Sequence, residues 1–125
     1  MDTCRENGKK NWVFADGDLP PKDGGAMEAH EALMVTNLND KPAHIELRIL
    51  FEDKPPVVGL NYTIEGMRVN CIRMDHPLGE QGFKVPFGQY AVHLISDDPV
   101  VAVFGRLDTR QPNMAYYSTQ GYSFG

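Results

Sequence analysis

Hydrophobic and polar residues alternate with a period of two along much of this chain. An alternation of this kind is typical of a strand that buries one face and exposes the other. No segment repeats apolar residues at helical spacing over three turns, and 12 Gly with 9 Pro leave little room for long helices. The clearest strand is 43–51, in which Ala43, Ile45, Leu47, Ile49 and Phe51 form the apolar face and His44, Glu46 and Arg48 the polar face.

Further strand-like segments recur at short intervals. The separators between them are rich in Asp, Pro and Gly, as at 53–56, 76–79 and 97–99, and are typical of loops. Together the segments give about eight strands, which predicts an all-β protein with an antiparallel β-sandwich or jelly-roll fold. The other predicted strands are 11–14, 31–36, 61–64, 68–74, 90–95, 100–107 and 115–122.

The length of the chain fits one domain. Its 125 residues have a mass of 14.0 kDa, which is enough to build a core without disulfides or metals. Residues 1–10 are mostly polar and predict an N-terminal extension, and residues 11–115 predict the β-sandwich domain. The uncharged, aromatic segment 116–125 predicts either a closing edge strand or a flexible tail.

One apolar run near the C-terminal end carries hydrophobic residues on both faces of its predicted strand. Val100, Ala102 and Phe104 point one way, and Val101 and Val103 point the other. Such a strand needs a second apolar environment, which comes from a neighbouring sheet or from another subunit. The pattern therefore predicts a homo-oligomer.

Composition limits the partners and the compartment. The formal net charge is -5, so long-range attraction to nucleic acid or anionic lipid is weak. No apolar stretch reaches the roughly 18 residues that cross a bilayer, and the polar start lacks the apolar region of a signal peptide. Cys4 and Cys71 form no C-x-x-C motif, so no disulfide framework is expected. We therefore predict a cytoplasmic protein.

The same apolar run ends in a polar cluster of Arg106, Asp108, Arg110 and Gln111. In a strand that continues past Phe104, Arg106 and Asp108 project to one face. Buried ion pairs can lock a loop or a subunit contact, whereas arginines also offer planar donors to a carboxylate, a phosphate or a sugar hydroxyl. The cluster is therefore either a structural network or a binding site, and the residues alone leave both readings open.

Three further residues are candidate members of a site. Trp12, the only tryptophan, is either a core residue or a stacking platform for a sugar or base. His30 and Glu31 open a predicted strand and point to opposite faces, so the two alone cannot form a metal site. The chain has no histidine spacing typical of zinc and no nucleophile elbow, P-loop or dinucleotide motif. We therefore expect no metal, no cofactor and no catalytic residues.

Several segments resemble the sequences of the sensory rhodopsin transducer family. The most specific is Arg106-Leu107-Asp108-Thr109-Arg110-Gln111, preceded by the apolar strand and by Ser96-Asp97-Asp98-Pro99. The likeness covers nearly the whole chain, from residue 11 to residue 120. The remaining matches are Trp12, Ala15-Asp16-Gly17 with Pro20-Pro21, His30-Glu31 leading to Asn37, and Ala43-His44-Ile45-Glu46 leading to Phe51-Glu52-Asp53.

The resemblance implies a small cytoplasmic β-sandwich that assembles as a homotetramer. It implies a non-enzymatic module that relays a signal to or from a membrane photoreceptor or another signalling protein. Binding of a small polar ligand such as a sugar, or of DNA, is also implied for the family. The residues that the resemblance assigns to a ligand site or subunit contact are Arg106, Asp108, Arg110 and Gln111, with His30, Glu31 and Trp12 as further contributors.

Two alternatives stay open at this point. The first is a DNA-binding regulator, in which a tetramer gathers basic residues into one patch although the net charge opposes DNA binding. The second is a carbohydrate-active enzyme on a jelly-roll scaffold, which needs two carboxylates that face each other. The basic residues are Lys9, Lys10, Arg68 and Arg73, and the candidate carboxylates are Glu31, Glu46 and Asp108.

Overall fold

A computed structural model describes residues 7–20, 29–108 and 115–125. Within these ranges the chain forms eight strands, and no helix there is long and apolar enough to cross a membrane. The prediction of an all-β fold is therefore confirmed. The strands are β1 (Lys9–Leu19), β2 (His30–Asn37), β3 (Ala43–Leu50), β4 (Val57–Ile64), β5 (Arg68–Arg73), β6 (Gly88–Asp108), β7 (Ala115–Thr119) and β8 (Tyr122–Phe124).

The long strand β6 organises the architecture because it belongs to two sheets. Its first half pairs with β1 and β3, and its second half pairs with β2 and β7. The first sheet has the strand order β4-β3-β6-β1-β8, and in the second sheet β5 and β7 flank the β2–β6 pair. All of these pairs are antiparallel. The two sheets pack face to face as an open sandwich, and Phe14 stacks on Phe104 across it at 5.7 Å.

The middle of β6 differs from the sequence prediction. The sequence predicts two strands with a loop at 97–99, and this is wrong, because one strand runs through these residues. The polar residues are tolerated since β6 changes partners here, from β3 to β2. Asp97 accepts a hydrogen bond from the His44 backbone N–H at 2.8 Å, and Pro99, which has no N–H, uses its carbonyl to accept from the Asn39 side chain.

Strand β3 confirms the alternation that the sequence predicts. Its apolar face is buried and its polar face is exposed or half-buried. The strand ends at Leu50, so Phe51 lies just beyond it and packs half-buried against the core. The core consequently lies between the two sheets, where every second side chain of each central strand points.

The C-terminal strands lie in different sheets. The single strand predicted at 115–122 is two strands, because β7 pairs with β6 and β8 pairs with β1. Gly121 lies where the chain crosses over, and a Cβ there would lie 2.6 Å from the Val13 carbonyl oxygen. At the other end β1 begins at Lys9, inside the segment predicted as an extension.

Candidate functional site

A buried ion pair joins β2 and β6 at one end of the sandwich. Glu31 and Arg106 lie opposite each other in the register of these strands. The Arg106 Nε donates to Glu31 Oε2 at 2.7 Å, and the two side chains are 10% and 0% exposed. A buried pair costs desolvation energy that its Coulomb attraction repays only with good geometry and further hydrogen bonds. Its presence is therefore weak evidence for a purely stabilising role.

Tyr90 brings the first sheet to the same carboxylate. Its hydroxyl donates to Glu31 Oε1 at 2.6 Å, and its ring packs edge-on against Phe104 at 6.4 Å. Gly17 passes so close to Tyr90 that a Cβ would lie 2.7 Å from a ring carbon, which accounts for glycine at this position. The two oxygens of Glu31 thus bind groups from both sheets.

A bulge in β1 adds two backbone contacts to this network. The register of β1 against β6 shifts at residues 14–17. At the bulge the Asp16 carbonyl accepts from Arg106 Nη2 at 2.7 Å, and just beyond it the Asp18 N–H donates to Glu31 Oε2 at 3.1 Å. We call Glu31, Tyr90 and Arg106, with these two backbone groups, the inter-sheet network.

A small cavity lies beside Arg106. It has a volume of about 100 Å³ and is lined by Asp16, Phe104, Arg106 and Thr119. A water molecule occupies roughly 30 Å³ of liquid, so the cavity has room for a small polar fragment. The described lining residues are an arginine, an aspartate and a threonine beside a phenylalanine that is 2% exposed. The polar members of this set can hydrogen-bond a ligand hydroxyl.

The electrostatics of the network keep Tyr90 protonated. Burial raises the pKa of the Tyr90 hydroxyl far above its ordinary value, and the adjacent Glu31 carboxylate raises it further. The positive charge of Arg106 opposes this shift and is outweighed. Tyr90 therefore acts as a hydrogen-bond donor and not as a base.

The structure places two of the predicted site residues away from the Glu31 carboxylate. His30 is half-buried and lies opposite Leu107, on the face of β2 that Glu31 does not share. Trp12 donates its indole N–H to the Val100 carbonyl at 3.0 Å. Its ring stacks on Phe14 at 6.3 Å, and Phe14 stacks on Phe104, which lines the cavity, at 5.7 Å. Trp12 therefore supports the cavity wall through Phe14 and is not among the described residues that line the cavity.

The other predicted members lie at or beyond the end of β6. Asp108 is its last residue and lies opposite Ala115, but the Asp108 side chain is outside the described part. Arg110 and Gln111 also lie outside the described residues. The predicted contact between Arg106 and Asp108 therefore stays a prediction.

Sequence reasoning missed Tyr90 and the backbone of the β1 bulge. Tyr90 alternates with Val92 and Leu94, which are buried, so its phenol also points inward. A buried tyrosine hydroxyl usually has a hydrogen-bond partner, and this was the available signal. No residue pattern indicates that the Asp16 carbonyl meets Arg106, because that contact depends on how the two sheets pack.

The histidines are dispersed over the sandwich. His44 Nδ1 lies 2.9 Å from the Asp97 carboxylate, and His93 Nε2 lies 3.0 Å from the Asn11 side chain, on a different stretch of the first sheet. Among residues 7–20, 29–108 and 115–125, no three His, Cys, Asp or Glu side chains are grouped so that they could hold a metal ion.

Comparisons with known proteins point to one family. A family model described as Anabaena sensory rhodopsin transducer matches residues 7–123. The crystal structure of Thermotoga maritima 1070 aligns with a TM-score of 0.81 and 32% identity, over 94% of this chain and 97% of that chain. The Anabaena sensory rhodopsin transducer aligns with a TM-score of 0.72 and 29% identity, over 87% of this chain and 96% of that chain. No curated protein sequence matches.

Proposed function

Because the chain belongs to the Anabaena sensory rhodopsin transducer family, we propose that it is a non-enzymatic cytoplasmic signalling module that binds a small polar ligand beside Arg106. The observation that carries this proposal is the inter-sheet network, which borders a cavity of about 100 Å³. The signal passes by protein contact to or from a membrane photoreceptor or another signalling protein.

The position of the network supports signal relay. Two hydrogen bonds join the sheets here. Arg106 of the second sheet donates to the Asp16 carbonyl of the first, and Glu31 of the second sheet accepts from the Tyr90 hydroxyl of the first. A ligand that hydrogen-bonds Arg106 changes contacts that join the two sheets. Because a ligand shifts a conformational equilibrium only through different contacts in the two states, a site that spans both sheets is suited to this task.

The charges of the site favour an uncharged, hydroxyl-bearing ligand such as a sugar. Glu31 already balances the charge of Arg106 at 2.7 Å. Asp16 also lines this cavity, and its negative charge disfavours a ligand carboxylate or phosphate. In a cavity of about 100 Å³ one sugar hydroxyl can accept from the Arg106 guanidinium and donate to the Asp16 carboxylate, while the rest of the sugar stays outside.

The outer face of the second sheet supports self-association into a homotetramer. Val69 is 63% exposed and Val101 is 41% exposed on this face. Cys71 is also exposed there, and Met34 and Val103 are half-buried beside it. Contiguous apolar surface on a sheet face is typical of a protein interface, so we propose that this face packs against another copy of the chain.

A thermal-shift screen of sugars, nucleotides and carboxylates tests the ligand proposal. A ligand at 100 times its dissociation constant stabilises a one-site protein by about 2.7 kcal/mol. We expect neutral sugars to raise the melting temperature and carboxylates not to raise it. Stabilisation by anions alone would contradict the proposed ligand class, and no stabilisation by any compound would contradict the site.

The variant used with this screen must leave the ion pair intact. Arg106→Ala leaves Glu31 buried without its cation, which costs about 3–5 kcal/mol whether or not the cluster binds a ligand. Asp16→Asn is better, because Asp16 holds Arg106 through its backbone carbonyl and only its side chain changes. We expect Asp16→Asn to fold normally and to lose the shift that a sugar produces in the wild type.

Light scattering after size exclusion tests the tetramer. We expect the mass of four 14.0 kDa chains for the wild type and a smaller assembly for Val69→Lys combined with Val101→Lys. Val58→Lys, at a 50% exposed position on β4, is the matched control and should keep the tetramer. A wild-type mass of one chain would overturn this part of the proposal.

The two alternative functions receive less support from the described residues. A DNA-binding regulator needs a patch of positive charge. The Arg73 guanidinium forms two 2.7 Å hydrogen bonds with the Asp75 carboxylate, so the charge of Arg73 is already compensated. For the enzyme, Glu31 points into the sandwich, whereas Glu46 lies on the outer face of the first sheet and pairs with Arg48. These two carboxylates do not face each other across a cleft.

A further inference from the structure

We propose that a basic segment of a partner protein docks in a groove on the outer face of the first sheet, and that this groove is coupled to the cavity beside Arg106. The groove lies where Leu50 of β3, Ala91 of β6 and Ala15 of β1 are neighbours across the sheet. Its volume is about 250 Å³. Pockets that bury a small molecule have roughly 300–1,000 Å³, so this smaller groove is better suited to one anchoring side chain of a protein.

Small side chains form the floor of the groove and larger apolar side chains form its wall. Ala91 is half-buried and Ala15 is exposed, and neither fills the space above it. Leu50 is 43% exposed beside them, and the half-buried Phe51 also lines the groove. Phe87, just before β6, is 63% exposed. Exposed apolar side chains around a groove are typical of a protein interface, so an apolar or aromatic anchor fits here.

Acidic residues dominate the two segments that flank the groove. Segments 16–18 and 52–54 together carry four carboxylates and one ammonium group, and Glu52 itself lines the groove. The ammonium group is that of Lys54, whose Nζ lies 4.5 Å from the centroid of the Phe51 ring. Excess negative charge attracts a basic protein segment and repels nucleic acid and anionic lipid. The partner is therefore a protein segment with Lys or Arg beside its apolar anchor.

The groove and the cavity beside Arg106 share the bulge of β1. Ala15 lines the groove, and the next residue, Asp16, lines the cavity and accepts from Arg106 Nη2 through its carbonyl at 2.7 Å. Tyr90 also lines the groove, and its hydroxyl donates to Glu31 Oε1 at 2.6 Å. A side chain docked in the groove thus contacts the residues that hold the inter-sheet network.

This shared bulge gives the partner and the ligand a common structural element. The coupling rests on the proposed function, in which the cavity beside Arg106 is the ligand site. When two molecules bias one element, each changes the dissociation constant of the other by the same factor. A ligand beside Arg106 is therefore expected to change the affinity for the partner, which is how the site would relay a signal.

NMR of the isotope-labelled full-length protein tests docking without any sugar. The probe is an acetylated and amidated Gly-Arg-Phe-Arg-Gly peptide. We expect saturable shifts of the amide resonances of Ala15, Leu50 and Ala91. Binding should be about tenfold weaker for Gly-Glu-Phe-Glu-Gly, which reverses the charge, and for Gly-Arg-Ala-Arg-Gly, which lacks the anchor. Equal binding of all three peptides, or no saturable shift at millimolar concentration, would overturn the proposal.

Two variants with matched controls locate the binding. Ala91→Leu fills the groove and should weaken binding about tenfold, whereas Thr63→Leu, at an exposed position of β4, should leave it unchanged. Glu52→Gln removes one exposed negative charge and should weaken binding about threefold at low salt. Glu65→Gln is its control, because Glu65 is exposed just beyond the Ala43–Ile64 pair, at the other end of β3 from Leu50.

Two outcomes of these variants contradict the assignment. Equal binding by Ala91→Leu and Thr63→Leu would show that the peptide binds elsewhere. A smaller assembly for Ala91→Leu than for the wild type would show that a second copy of the chain occupies the groove, and the partner assignment would then be wrong.

The Arg106 Nε–H resonance reports the coupling whether or not a sugar binds. We expect the probe peptide to shift this resonance with the same midpoint as the Ala15 amide. An unchanged Arg106 resonance at saturation would overturn the coupling. The sugar screen tests the ligand site separately: if no sugar binds, the proposed ligand fails while the peptide results still decide whether the groove docks a partner.

Discussion

Replacing Tyr90 by Phe removes one hydroxyl from the inter-sheet network and keeps the aromatic ring in place. The lost hydrogen bond is 2.6 Å long and ends on a carboxylate that is 0% exposed. Hydrogen bonds to charged groups contribute about 1.5–3 kcal/mol, and here the Glu31 Oε1 atom stays buried without this donor. We therefore expect Tyr90→Phe to lower the free energy of unfolding by about 1.5–3 kcal/mol.

The corresponding change in melting temperature follows from the size of the chain. An unfolding entropy of about 2.1 cal/mol/K per residue over 125 residues gives roughly 0.26 kcal/mol/K. The melting temperature should then fall by about 6–11 °C. Urea unfolding followed by circular dichroism measures the free energy itself, and the protein concentration must be the same for every variant because the chain is proposed to self-associate.

Two other tyrosines serve as controls for this prediction. Tyr122 is 71% exposed, and Tyr122→Phe should change stability by less than about 0.5 kcal/mol. The Tyr62 hydroxyl accepts an uncharged bond from the Gly79 N–H, so Tyr62→Phe should cost about 0.5–1.5 kcal/mol. If Tyr90→Phe costs no more than Tyr122→Phe, the reasoning about the buried network is refuted.

Three further predictions concern the same core. Gly17→Ala should destabilise the protein by more than about 1 kcal/mol, because the new Cβ would lie 2.7 Å from the Tyr90 ring and neither group can move freely; unchanged urea unfolding would contradict this. Ser96→Ala should be neutral or stabilising, since its buried Oγ has no hydrogen-bond partner among the described residues, and a loss above about 1 kcal/mol in the same assay would show that a partner exists. The free energy of unfolding should fall as the pH rises above about 10. In this range the tyrosines of the unfolded chain lose their protons, whereas the raised pKa of Tyr90 keeps its hydroxyl protonated in the folded protein. The slope of the free energy of unfolding approaches about 1.36 kcal/mol per pH unit and should be smaller in Tyr90→Phe.

Local patterns predict most of the strands. In β3 the alternation is complete enough to assign each side chain to a face, and the burial of Ile45, Leu47 and Ile49 confirms it. The prediction fails at 97–99, where two aspartates and a proline normally mark a loop. They are part of a strand because β6 exchanges one partner strand for another there, and pairing between distant segments is not visible in local sequence.

The candidate site is only partly predictable for the same reason. The resemblance to a known family selects both Glu31 and Arg106, whereas the residues alone suggest a contact between Arg106 and Asp108, which stays a prediction. Among the described side chains Arg106 pairs with Glu31, 75 residues earlier in the chain. Tyr90 joins them from the opposite sheet, and such contacts depend on sheet packing, which alternation does not determine.

The most direct test of the account is calorimetric titration of the best sugar from the screen into three proteins. The wild type, Thr119→Val and Thr63→Val are compared, because Thr119 lines the cavity beside Arg106 and Thr63 is exposed on β4. One lost hydrogen bond of about 1.4 kcal/mol weakens binding tenfold. The account predicts that the dissociation constant rises about tenfold in Thr119→Val and stays unchanged in Thr63→Val. Equal affinity for all three proteins would contradict it.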